Sequence, residues 1–141
     1  MKRTSFATDE CPVARSVGAV GDWWSLLIVR DAFAGKKRFG EFQKSLGVAK
    51  NILTVRLKKL VADGVMELVP ASDGSAYQEY ALTEKGRGLF LVIAALGQWS
   101  CAGSEFKLVD RKKGKSVWLE LRSEDGRRLT PDDVRLASSE S

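Results

Sequence analysis

Three features of the 141-residue chain predict a mainly α fold with a small β-hairpin (α+β). Two helical stretches separated by a glycine turn run from Arg38 to Gly64. Two short apolar or β-branched runs follow at Val65–Val69 and Tyr77–Thr83, and a strongly apolar helix comes after them. Helix, turn, helix and then hairpin is the order of a winged helix-turn-helix, with PASDGSA (70–76) as the wing. The expected division is 1–103 for the winged-helix and dimerisation domain and 104–141 for a C-terminal extension.

Residues 1–8 read as a frayed lead-in. Asp9, Glu10, Cys11 and Pro12 open the first helix, because acids suit the positive end of the helix dipole and proline is preorganised for the first turn. Val13, Val17 and Val20 form one apolar stripe up to Gly21. Asp22 is the expected N-cap of WWSLLIVRDAFAG, whose Trp23, Trp24, Leu26, Leu27, Ile28, Val29 and Phe33 leave almost no polar face and place it in the middle of the core.

After the basic loop GKKR (35–38) comes the helix pair. In its second helix Leu53, Leu57, Leu60 and Val61 recur at i, i+4, i+7 and i+8 and share a buried stripe, so Asn51, Thr54, Val55 and Lys58 face outward. Gly47 makes the turn, and Gly64 ends the long helix. Pro, Asp and Gly in PASDGSA are turn formers that separate the two strands.

Thr83, Glu84 and Lys85 open a helix expected to reach about Ser100. Its LFLVIAAL (89–96) is apolar all round. A terminal helix turns only one side to its own core, so the surplus predicts a two-fold homodimer, with Val13, Val17, Phe90, Ile93 and Leu96 at the interface. In the tail, Lys107–Lys115 is basic and turn-like, and SVWLELR and RRLT flank the SEDG turn as a hairpin. Thr130, Pro131, Asp132 and Asp133 start a short helix ending near Leu136, and 137–141 are expected to be disordered.

Composition bounds the function. A hydrophobic share of 44% and a charged share of 29% suit a soluble globular protein. No apolar run is long enough to span a membrane, and MKRTSFATDE lacks the apolar core of a signal peptide, so a cytoplasmic location is expected. The chain has no histidine, which removes Ser/His/Asp and Cys/His catalysis and imidazole ligation. Its two distant cysteines cannot make a zinc site alone. Gly18, Gly21, Gly35, Gly40, Gly47 and Gly64 are spaced as helix ends and turns rather than as a phosphate loop. No Asp or Glu pair sits in an apolar context that would tune one of them. No enzyme, metal or cofactor is expected.

Charge points instead to a polyanion. Lys36 to Lys59 holds eight basic residues against one acidic, a local +7, whereas the whole chain carries +5. Clustered cations are what a surface needs to displace counterions from phosphates.

CPVARSVGAVGDWWSLLIVRDAFAGKKRFGEFQKSLGVAKNILTVRLKKLVADGVMELV (11–69), YALTEKGRGL and Trp99 together resemble the HxlR family of bacterial transcriptional regulators, relatives of the MarR winged-helix proteins. The resemblance covers residues 11 to about 101, and VDRKKGKSVWLELRSEDGRRLTPDDVRL is similar to an extension of some members. It implies a homodimeric regulator, expected here as a repressor, that binds double-stranded DNA at an inverted-repeat operator. The helix matching NILTVRLKKL would read the major groove.

Carried onto this chain, the base-facing positions are Lys50, Asn51, Thr54, Val55 and Lys58. Asn51 suits bidentate bonding to adenine, Lys50 a guanine or a phosphate, and Val55 or the Thr54 methyl a thymine methyl. Arg56, Lys59, Lys36, Lys37 and Arg38 are the expected phosphate contacts. The wing departs from the family pattern: PASDGSA has no cation and one acid, Asp73, so a weak wing contact is expected.

Some members resemble oxidant or electrophile sensors with a cysteine at the position of Cys11, where a helix N-terminus and Arg15 would favour thiolate. Cys101 reads as a small buried hydrophobe. Trp23, Trp24, Phe33, Phe90 and Trp99 are candidates for a pocket holding a small aromatic effector, though aromatics at helical spacing also serve as plain core. The alternative reading is a winged-helix interaction module whose basic patch meets an acidic protein.

Overall fold

The computed structural model describes residues 11–101 and 107–137. The lead-in, Asp9, Glu10, the 103/104 boundary and residues 138–141 lie outside the described residues. The chain forms two compact units, Met1–Ile93 and Ala94–Ser141, dividing within the last long helix.

The first unit holds α1 (Pro12–Val20), α2 (Trp23–Phe33), α3 (Phe39–Leu46), α4 (Lys50–Ala62), β1 (Met66–Pro70), β2 (Gln78–Leu82) and α5 (Glu84–Arg87). The final helix, α6 (Phe90–Ser100), crosses the division. Asp22 caps α2 as its position predicts: its carboxylate accepts from the Ser25 N–H at 2.8 Å and the Ser25 hydroxyl at 2.6 Å. The core of this unit brings Ile28 and Val29 of α2 against Phe42 of α3, Leu53, Leu57 and Leu60 of α4, and Val65 and Met66. Each such side chain contributes about 1.5–3 kcal/mol by leaving water.

Of the α1 stripe Val20 is buried, while Val13 and Val17, the two assigned from sequence to a dimer interface, remain 65% and 49% exposed. Two helical expectations need correction. Helix α2 is not wrapped on all sides, since Trp23 is 76% exposed. Gly18 and Gly40 lie inside α1 and α3 rather than at helix ends.

The wing strands pair antiparallel from Met66↔Leu82 to Pro70↔Gln78. The Tyr80 N–H donates to the Lys37 carbonyl at 2.8 Å, fastening β2 to the chain entering α3. The single helix expected from Thr83 to Ser100 is broken into α5 and α6. Thr83 caps α5 by accepting from the Gly86 N–H at 3.1 Å, while its hydroxyl donates to the Gly64 carbonyl at 2.5 Å. Gly86 is pressed so close to the backbone that a Cβ there would lie 2.0 Å from the Val65 carbonyl oxygen. This contact holds α5 against the chain leaving α4.

In the second unit β3 (Leu108–Val109) pairs with β4 (Ser116–Val117), and β5 (Leu121–Arg122) pairs with β6 (Arg128–Leu129). SVWLELR is therefore two strands, not one. Between them, the Gln98 side chain accepts from the Leu119 N–H at 2.7 Å and donates to the Leu119 carbonyl at 2.9 Å, occupying the backbone groups that would continue a ladder. The hairpin around SEDG forms as expected, and the helix expected to reach Leu136 is one 3₁₀ turn, Pro131–Asp133. No helix among the described residues is long and apolar enough to cross a membrane.

Candidate nucleic-acid interface

The helix pair is positioned by its own termini. Glu41 accepts from the Lys37 and Arg38 N–H groups, each at 3.0 Å, and these two bonds hold its carboxyl below the usual range. Helix α3 ends at Gly47, which takes φ 63° and donates its N–H to the Gln43 carbonyl at 2.9 Å. Val48 is buried in the turn, and Ala49 begins α4 with no side-chain cap. The first N–H groups of an α-helix have no intrahelical partner, so this terminus suits a phosphate.

On the outward face of α4, Lys50, Asn51, Val55 and Lys58 are exposed, with Ile52 beside them. Thr54 is half-buried, and its hydroxyl donates to the Lys50 carbonyl at 2.9 Å, leaving the methyl as its distinguishing group. Lys37 is exposed and Lys36 is half-buried.

Three of the expected phosphate contacts have other partners. The Lys59 ammonium donates to the Gly18 and Ala19 carbonyls at 3.1 and 3.2 Å and to Asp63 at 2.6 Å, so it caps the C-terminal end of α1. Arg56 is mostly buried, with its Nε 3.5 Å from Asp22, near enough for charge attraction but without hydrogen-bond geometry. It links α4 to the N-cap of α2. Lys59 directly follows the exposed Lys58 and Arg56 lies two residues before it, yet both are turned toward partners on α1 and α2.

Arg38 is the third. Its guanidinium donates to Asp73 at 2.6 Å, lies 3.5 Å from Glu79, and sits over the Tyr77 ring, 5.4 Å from the centroid. Glu79 is buried on β2 and accepts from the Ser72 N–H at 3.0 Å. That backbone bond foremost, with the Ser72 hydroxyl and Arg38 behind it, holds its carboxyl below the usual range. Asp73 is held down to about 2, first by the Ser75 N–H and side chain and then by Arg38. The single acid of the wing is thus neutralised by the N-cap residue of α3. Glu79 was not singled out from the sequence; the only local hint is an acid at a strand position facing the turn residue Ser72.

Cys11 is exposed at the N-cap of α1, and Cys101 is half-exposed rather than buried. Phe33 and Phe90 meet edge to face at 5.2 Å, Trp24 packs on the core, and Trp23 and Trp99 are 76% and 86% exposed. A cleft of about 550 Å³ lies elsewhere, bordered by Arg15, Ala19, Lys59, Lys85 and Leu89. Of the expected interface residues, Val13, Val17, Phe90 and Leu96 are exposed, whereas Ile93 packs on the core of its own unit. Leu91 and Val92 are exposed in its place.

The HxlR-like helix-turn-helix family model matches residues 19–106. An uncharacterized HTH-type transcriptional regulator of Mycobacterium tuberculosis, Rv3095, is 45% identical over 76% of this chain, which spans only 65% of that relative's length. The crystal structure of PA1607, a proposed transcription factor, superposes with a TM-score of 0.85 at 51% identity, covering 95% of this chain and 99% of that one. The redox regulator HypR in its oxidized form superposes with a TM-score of 0.59 at 29% identity, covering 68% of this chain and all of that one. With its helix-turn-helix, wing and sequence all matched, the chain belongs to the HxlR-like helix-turn-helix family.

Proposed function

We propose that this protein is a homodimeric, sequence-specific DNA-binding transcriptional regulator acting as a repressor. The observation that carries the reading is the outward face of α4: Lys50, Asn51, Val55 and Lys58 are exposed together beside a helix start without a side-chain cap. Lys50 and Asn51 at the helix start and Lys58 two turns on suit a major groove, with Lys37 as a backbone contact. Support for a dimer comes from the exposed apolar side chains Phe90, Leu91, Val92 and Leu96 of α6, which a second copy would remove from water. Two recognition helices would then meet half-sites about one helical turn apart.

Of two possible inputs, Cys11 is the better supported, as an exposed thiol at a helix start in a chain similar to a redox regulator. The aromatic effector reading has only the Phe33–Phe90 contact and scattered exposed tryptophans behind it.

The test is binding to the DNA upstream of the protein's own gene beside a scrambled duplex of equal length. Asn51→Ala is expected to cost about 1–3 kcal/mol on the correct site and little on the scrambled one, and Lys37→Ala to weaken both alike. Equal behaviour of both variants on every duplex would count against base reading. It would favour the acidic-protein partner instead.

A further inference from the structure

The two hairpins of the second unit treat their cations differently. In the β5–β6 hairpin each arginine is paired: Arg122 with Glu120 at 2.6 Å, Arg128 with Glu120 at 3.4 Å and Arg127 with Asp125 at 2.9 Å. In the loop between β3 and β4, Arg111, Lys112, Lys113 and Lys115 are all exposed, and among the described residues none has an ion pair.

The one acid of that loop is used internally. Asp110 Oδ1 accepts from the Lys112 N–H at 2.9 Å, the Asp110 carbonyl accepts from the Gly114 N–H at 2.8 Å, and the Asp110 N–H donates to the Lys115 carbonyl at 2.9 Å. Gly114 takes φ 66°, which closes the turn. Three hydrogen bonds centred on Asp110 therefore hold a short loop in one shape while its four cations stand in water.

We propose that the Arg111–Lys115 loop is a second DNA contact, which grips the phosphate backbone of duplex DNA and adds to the contacts of α4. The class of partner follows from the chemistry. Four cations on a preordered loop neutralise phosphates at little ordering cost. Residues 111–115 include no aromatic on which an unpaired base could stack, and three of the four cations are lysines, flexible point charges that suit phosphate oxygens, so the contact is assigned to the duplex backbone. This rests on the DNA-binding reading, but it assigns a role to a part of the chain outside the helix-turn-helix.

The experiment measures log affinity against log salt for the full chain on the upstream and scrambled duplexes. It compares wild type, the loop variant R111Q/K112Q/K113Q/K115Q, a charge-keeping K112R/K113R/K115R variant, and the α4 variant K50Q/K58Q. All substituted side chains are exposed, and circular dichroism checks each fold. The loop variant is expected to lose about two to four units of slope per protomer, equally on both duplexes, and the arginine variant to keep the wild-type slope. An unchanged slope in the loop variant overturns the proposal. If the loop variant loses slope while K50Q/K58Q does not, the loop contact stands and the α4 reading fails.

Discussion

The guanidinium of Arg38 lies 2.6 Å from the carboxylate of Asp73, joining the first residue of the helix-turn-helix to the tip of the wing. The Asp73 carboxyl is held to about 2 against an ordinary 3.8, so it stabilises the fold at every pH above about 4 and loses that contribution as pH falls through about 2. Thermal unfolding of Asp73→Asn is therefore expected at a lower temperature than wild type at pH 5, with the two converging as pH approaches 2. A constant gap across that range would show that the charge of Asp73 does not matter.

The same pair makes a prediction for DNA. Removing the acid leaves Arg38 with Glu79 alone and raises the charge of the wing by one. Asp73→Ala is expected to tighten binding to any duplex at low salt, with a salt slope steeper by up to about 0.9 per protomer. Weaker binding would mean that the Asp73 bond is needed to hold the wing in place.

Lys59 and Lys58 are neighbours in sequence with opposite surroundings. Lys59→Met should destabilise the fold by about 1 kcal/mol in urea unfolding, because the carbonyls at the end of α1 lose their donor, and should leave the salt slope of DNA binding unchanged. Lys58→Met should do the reverse, lowering the slope by about 0.9 per protomer with little change in stability. A matched loss of slope in both would return Lys59 to the phosphate contacts.

Two glycines separate packing from propensity. Gly86→Ala drives a Cβ onto the Val65 carbonyl, a backbone atom that cannot swing aside, and should cost about 1–3 kcal/mol or more. Gly40→Ala, in α3 with nothing within 4 Å of the added methyl, should be neutral or stabilising by up to about 1 kcal/mol. Equal unfolding midpoints for the two variants would contradict the close approach.

If Cys11 is the input, Cys11→Ser should bind DNA like wild type under reducing conditions and lose any oxidant-induced release. An oxidant response that survives the substitution would exclude Cys11.

What the sequence alone determined is what repeats over short range. The Leu53–Leu57–Leu60 stripe marks α4 and its outer face because helical period depends only on neighbours a few residues away. Asp22, Gly47 and the PASDGSA turn show themselves through backbone chemistry that their own side chains dictate. The exposed face Lys50, Asn51, Val55 and Lys58 follows from that stripe.

Tertiary structure decided which cations are available. Lys58 and Lys59 read alike in sequence, yet the ends of α1 and α4 meet only after folding, and that meeting takes Lys59 for the Gly18 and Ala19 carbonyls. Arg38 finds partners 35 and 41 residues away, a separation over which no periodicity carries information. The close packing of Gly86 likewise depends on the Val65 carbonyl arriving from another element. Helix period and turn chemistry are local, whereas the pairing of charges and the close approach of backbones depend on which distant segments the core brings together.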